Sequence, residues 1–158
     1  MFKAVNLKKL LISLLIPFLA ALLAQTLSGD IKSVYQSLNQ PPGSPPALVF
    51  PVVWAILYLL MGLSLYIISI SRAPQQKKSF SYIVFGTGLL FNLFWPILFF
   101  RFGLLNFSAV WLGVLILLIA LNIFAFCRIK KAPGIMLLPY LIWCLFALYL
   151  NIGAAVLN

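Results

Sequence analysis

Residues 33–71 read SVYQSLNQPPGSPPALVFPVVWAILYLLMGLSLYIISIS, a run without a single charge. One crossing of a bilayer takes about 20 helical residues, so the run is too long for one span and too short for two. Its first part, SVYQSLNQPPGSPP, is polar and rich in proline. Such a segment cannot span lipid, where every backbone polar group must be satisfied within the protein. From about Ala47 onward the run is apolar, and Pro45 and Pro46 stand at its entry, where a missing N–H costs little. The run therefore predicts a long connection followed by one spanning helix.

The other charge-free stretches, 10–29, 79–100, 102–127 and 132–158, each suit a single span. The predicted spans are roughly 8–27, 47–70, 79–100, 106–126 and 134–157. The expected architecture is an all-α membrane protein, a five-transmembrane-helix bundle with a long loop between helices 1 and 2, forming one domain over residues 1–158. Composition points the same way. Of 158 residues, 65% are hydrophobic and 8% charged, with a mean hydropathy of +1.16. A soluble domain has about 25% charged residues, and so few could not cover the surface of a soluble chain without large apolar patches.

Charge type excludes several chemistries. Eleven Lys and Arg face one acid, Asp30, and there is no histidine. Metal sites built on His and carboxylate are excluded, as are Ser-His-Asp and paired-carboxylate catalysis. Proton-coupled carriers keep an acid or histidine at membrane depth, and no apolar run here has one. Cys127 and Cys144 have no metal-site or disulfide spacing. The net charge of +10 does not indicate nucleic acid, because the basic residues lie in small groups between apolar runs and read as topology signals.

Nine of them (Lys3, Lys8, Lys9, Arg72, Lys77, Lys78, Arg128, Lys130 and Lys131) fall on one side of the predicted bundle. Lys32 and Arg101, with Asp30, fall on the other. In a bacterial plasma membrane this bias predicts a cytoplasmic N-terminus, an external C-terminus and an external first connection at about residues 28–46. Residues 1–24 have the basic start and small residues of a signal peptide. Their apolar stretch of about 18 residues exceeds the usual 7–15, so they are read as an uncleaved first span.

Polar and aromatic residues inside the spans carry the functional information, because lipid offers them no water. On the second span Trp54, Tyr58 and Met61 share a face, with Gly62 alongside. Asn92, Trp95 and Phe99 form a stripe on the third span, and Tyr140, Trp143, Ala147 and Asn151 on the fifth. Trp111, alone on the fourth, reads as packing or as part of an interfacial belt. The stripes have two readings: interhelical packing with amide hydrogen bonds, or the wall of a cavity for a flat, largely apolar ligand. Pro51, Pro96 and Pro139 lie near the three tryptophans and loosen the helices there.

Three blocks in order, PPALVFPVVWAILYLLMG (45–62), NLFWPILFF (92–100) and PYLIWCLFALYLN (139–151), resemble the motifs of the TspO/MBR family. This family comprises the tryptophan-rich sensory proteins of bacteria and the mitochondrial translocator protein, or peripheral benzodiazepine receptor. The resemblance covers nearly the whole chain. It implies a five-helix bundle, often a homodimer, with one pocket opening toward the first connection and accepting porphyrins, sterols and synthetic benzodiazepine or isoquinoline-carboxamide ligands. Carried over by motif, the pocket falls on Trp54, Asn92, Trp95, Tyr140, Trp143, Ala147, Leu150 and Asn151. Helical spacing adds Tyr58 and Phe99, which share the faces of Trp54 and Trp95. The expected cavity lies between spans one, two, three and five, roofed by residues 28–46, with Trp54, Trp95 and Trp143 in its wall and Lys32 near its outer mouth.

Two departures stand out. Tryptophans usual in the family before and after the proline pair are replaced by Gly43 and Leu48, which makes the lid less aromatic. Leu148 and Tyr149 are followed by no basic residue before Asn158, so the proposed sterol motif of the mitochondrial proteins is absent. The resemblance implies a protein that binds a tetrapyrrole such as protoporphyrin IX, with a transport or stress-sensing role. The alternatives are a light-dependent porphyrin-degrading enzyme and a regulatory partner-binding membrane protein. No catalytic residue, metal or cofactor is expected beyond porphyrin as ligand; the expected partners are that ligand, the bilayer and a second copy, not nucleic acid.

Overall fold

The computed structural model describes residues 5–158. Lys3, counted above among the topology signals, lies outside the described residues. Helix α1 spans Leu7–Leu27, α2 Ile31–Ser37, α3 Val49–Ser69, α4 Gln75–Pro96, α5 Leu105–Cys127, α6 Lys131–Ile135 and α7 Leu138–Leu157. A π-helical turn, Ile97–Arg101, continues α4. Five helical stretches are long and apolar enough to cross a membrane, the third including the π turn and the fifth joining α6 to α7. The chain is an all-helical, integral membrane protein.

Three boundaries differ from expectation for local reasons. The connection expected as loop contains α2, whose N-cap Asp30 accepts a hydrogen bond from the Ser33 backbone N–H at 3.1 Å. The third span starts at Gln75 instead of near 79, immediately after Pro74. Its basic first turn belongs to the helix because long Lys side chains reach polar surroundings while their stems cover apolar surface. The fifth span is interrupted at Met136 and Leu137 and restarts with Pro139 in its first turn, where proline's lost N–H is harmless.

The helices approach one another most closely where small residues and a proline make room. Pro17 lies inside α1 and cannot donate to the Ser13 carbonyl four residues back. Gly62 of α3 sits opposite that turn: a Cβ there would lie 2.9 Å from Leu14 Cα and 3.0 Å from the Ser13 oxygen. Gly134 likewise lets α6 rest on the end of α5, where a Cβ would meet the Ile123 carbonyl at 2.9 Å. Backbone contacts are extensive for α1 with α3, α4 with α5 and α5 with α7. By contrast, α3, α4 and α7 are joined in the interior largely through side chains, and that is where the three sequence stripes meet.

Candidate functional site: an aromatic cleft under a clamped cap

Asn92 is the centre of the first polar link. Its Oδ1 accepts from the Tyr58 hydroxyl at 2.7 Å and its Nδ2 donates to the Tyr140 hydroxyl at 2.9 Å. One buried amide thus ties α3, α4 and α7 together. Asn151 is the centre of the second. It accepts from Trp95 Nε1 at 3.0 Å and from Ser108 Oγ at 3.1 Å, and its Nδ2 donates to the Leu105 carbonyl at 2.8 Å. Neither amide faces lipid: Asn92 and Asn151 are 3% and 1% exposed. Satisfied in this way, polar groups at membrane depth hold helices together instead of destabilising them.

Rings fill the space around the links. Trp54 stacks on Tyr58 at 5.4 Å between centroids and meets Tyr140 edge-on at 6.2 Å. Trp143 packs against Phe50 and Phe146. Its indole N–H is buried and has no partner. Trp111 belongs elsewhere: it stacks on Phe91 at 4.2 Å, and its Nε1 donates to the Phe91 carbonyl at 2.9 Å, closing the seam between α4 and α5.

Above Asn151 the interior opens into a cleft lined by Tyr35, Gln40, Phe50, Trp95, Phe99, Phe100, Ala147, Leu150 and Asn151. Of the ten residues expected at the site, Trp95, Phe99, Ala147, Leu150 and Asn151 border it. Tyr58, Asn92 and Tyr140 form the hydrogen-bonded layer, and Trp54 and Trp143 stand behind that lining. In this closed arrangement Trp95 borders the cleft, while the rings of Trp54 and Trp143 pack against Tyr58, Tyr140 and Phe50. The first span contributes no lining residue; its place is taken by the cap and the π turn.

Four lining residues escaped the sequence argument. Phe50 lies one helical turn before Trp54, and the same i, i+4 spacing extended backward finds it. Phe100 has no such signal. The π turn after Pro96 inserts an extra residue per turn, so Phe99 and Phe100 both reach the cleft. Tyr35 and Gln40 come from the cap, whose fold no helical period describes.

The cap, residues 28–48, is fastened to the end of α7. Asn39 and Asn158 bond reciprocally: the Asn39 N–H donates to Asn158 Oδ1 at 2.9 Å, and Asn158 Nδ2 donates to the Asn39 carbonyl at 3.1 Å. Tyr149 donates to the Pro42 carbonyl at 2.8 Å, and Pro41 rests on Gly153, where any Cβ would collide with its ring. Within the cap, the Tyr35 hydroxyl donates to the Pro45 carbonyl at 2.8 Å. Burial raises the pKa of Tyr35, with a smaller opposing effect from Ser44, so the hydroxyl keeps its proton at neutral pH. At the same end Arg101 donates to the Leu27 carbonyl at 3.1 Å. The cleft beneath has a volume of about 20 Å³. That is room for little more than one water.

A five-span membrane bundle with an aromatic, amide-floored cleft under a clamped extramembrane cap defines the class. The TspO/MBR family model matches residues 13–157, and the chain belongs to that family. It is 33% identical to the tryptophan-rich protein TspO of Chlorobaculum tepidum over 114 residues, 69% of each chain. It is 32% identical to a tryptophan-rich sensory protein of Cereibacter sphaeroides over 110 residues, covering 70% of this chain and 67% of that protein.

Proposed function

We propose that this TspO-family protein binds a flat, largely apolar ligand of the porphyrin type beneath the cap, and that opening and closing of the cap couple binding to transport or sensing. The observation that supports this most is the cleft itself. Five aromatic rings (Tyr35, Phe50, Trp95, Phe99 and Phe100) surround two side-chain amides, those of Asn151 and Gln40. Rings of this kind stack on a flat apolar face, while uncharged amides orient it without demanding a charged ligand. Ligand pockets are typically about 300–1,000 Å³, so the closed cleft must widen for such a ligand. Gly29 and Gly43, with φ of +77° and +81°, bound most of the cap and are the natural places for its backbone to turn.

Protoporphyrin titration followed by tryptophan quenching, with thermal unfolding as a folding control, tests the reading. Ala147→Phe, which fills the cleft, should weaken binding about tenfold or more, a loss of about 1.4 kcal/mol. Trp143→Ala removes the ring that supports Phe50 and should weaken it several-fold. Trp111→Ala should leave it unchanged. Equal affinity in all three variants would return the aromatic layer to plain packing.

The same reading puts the basic end of the bundle in the cytoplasm of a bacterium and the cap outside. A reporter fused after Asn158 should be active only outside the cytoplasm; cytoplasmic activity reverses the orientation. It also includes pairing with a second copy, for which Gly86 and Gly113 provide open surface on α4 and α5. A monomer mass by light scattering, after subtraction of detergent, removes that part.

A further inference from the structure

A second cleft lies at the opposite end of α4, between its first turns and the last turns of α5. Gln76, Lys77, Phe80, Ser81, Phe124, Ala125 and Arg128 line it, and it has a volume of about 400 Å³. It is open where the aromatic cleft is closed, and it lies at the basic end of the bundle, away from the cap. No residue of the aromatic site borders it.

Its chemistry is divided into two zones. Lys77 and Arg128 supply two positive charges, and Asp30, the one acid of the chain, stands at the cap end of the bundle. The Arg128 guanidinium sits 5.6 Å from the centroid of the Phe124 ring, a cation–π contact that keeps it at the rim. The neighbouring Lys78 is occupied differently: its ammonium donates to the Ser69 carbonyl at 3.3 Å. Below the charges the wall is apolar, with Phe80 and Phe124 about half exposed, at 49% and 58%. Ser81 closes the floor. Its side chain is 0% exposed and its hydroxyl has no hydrogen-bond partner. Ser37, Ser69 and Ser71 each donate to a carbonyl three residues back in the chain, whereas buried Ser64, like Ser81, has no partner.

We propose that this groove is a binding site for an anionic phospholipid from the leaflet at the basic end, independent of the aromatic cleft. The headgroup phosphate sits between Lys77 and Arg128, and one acyl chain runs down over Phe80, Phe124 and Ala125. Charge complementarity selects this occupant. A lipid without net charge would leave the two positive charges uncompensated, and a small anion alone would leave the apolar wall uncovered. Basic pockets between transmembrane helices bind acidic headgroups on the same grounds.

Native mass spectrometry of the full chain, released from micelles doped with equal amounts of phosphatidylglycerol and phosphatidylcholine, reads the proposal directly. The wild type should retain phosphatidylglycerol preferentially. Each of Lys77→Gln and Arg128→Gln should lower that retention about fivefold, and the pair about twentyfold, as expected for cations near an acidic surface. Lys130→Gln with Lys131→Gln, equally basic but outside the groove, should change it less than twofold. Equal loss in this control pair, equal retention of phosphatidylcholine, or displacement of the lipid by millimolar inorganic phosphate overturns the proposal. Ala125→Leu keeps every charge and narrows the apolar wall, so it decides the matter if the double variant does not fold. Retention should fall there too, and unchanged retention refutes the acyl-chain seat.

Discussion

The two ends of α4 solve opposite problems. At its C-terminal end, aromatic side chains and two asparagines fill the space between α3, α4 and α7 so completely that the cleft holds little more than a water. At its N-terminal end, a groove of about 400 Å³ stays open, edged by Lys77 and Arg128. The difference lies in what each region can bond to without a ligand. Asn92 and Asn151 find hydroxyl, indole and carbonyl partners on neighbouring helices, so both amides are satisfied when the upper region is closed. Lys77 and Arg128, both exposed and of like charge, do not bond one another across the lower region. A closed site needs a device that opens it, and an open one needs an occupant of opposite charge.

Asn151→Leu should break this contrast most strongly. It leaves the Trp95 indole N–H without its acceptor and the Leu105 carbonyl without the Asn151 donor, while the Ser108 hydroxyl still has the Leu105 carbonyl at 2.9 Å. The expected destabilisation is about 2–3 kcal/mol, measured by unfolding in mixed micelles. Phosphatidylglycerol retention at the other end should persist in the folded fraction. An equal loss at both ends would mean that the two clefts are not independent.

Asn158→Ala should have a smaller effect on stability and a clear one on the cap. It removes both side-chain bonds to Asn39 but leaves the Tyr149 bond to the Pro42 carbonyl. The expected cost is about 1 kcal/mol. Hydrogen exchange in residues 38–44 should rise about fivefold, and porphyrin association should accelerate. Unchanged exchange would show that the remaining contacts, Tyr149 to Pro42, Asn39 Nδ2 to the Leu157 carbonyl and Pro41 on Gly153, are enough to hold the cap.

Trp111→Phe should do least. The stacking on Phe91 is retained and one hydrogen bond to its carbonyl is lost, a change of about 0.5–1.5 kcal/mol. Neither porphyrin affinity nor lipid retention should move. A shift in either would mean that the α4–α5 seam carries coupling between the ends of α4.

Span number and the pairing of asparagine with tryptophan stripes were legible in the linear chain. Charge-free runs of about 20 residues have one structural outcome in lipid, and a 3.6-residue period assigns Tyr58, Asn92, Trp95, Tyr140 and Asn151 to inward faces without reference to neighbours. The family motifs lie on those same residues, and the family match confirms the chain's membership. Which rings border space and which fill it depended on the tertiary arrangement. Trp54 and Trp143 have the same phase as Trp95, yet Tyr58, Tyr140 and Phe50 occupy them. The π turn after Pro96, which brings Phe100 beside Phe99, breaks the period on which the stripe argument relies. The cap's grip on Asn158 and the groove between α4 and α5 join residues far apart in the chain. No local period encodes such contacts; they exist only once the helices have packed.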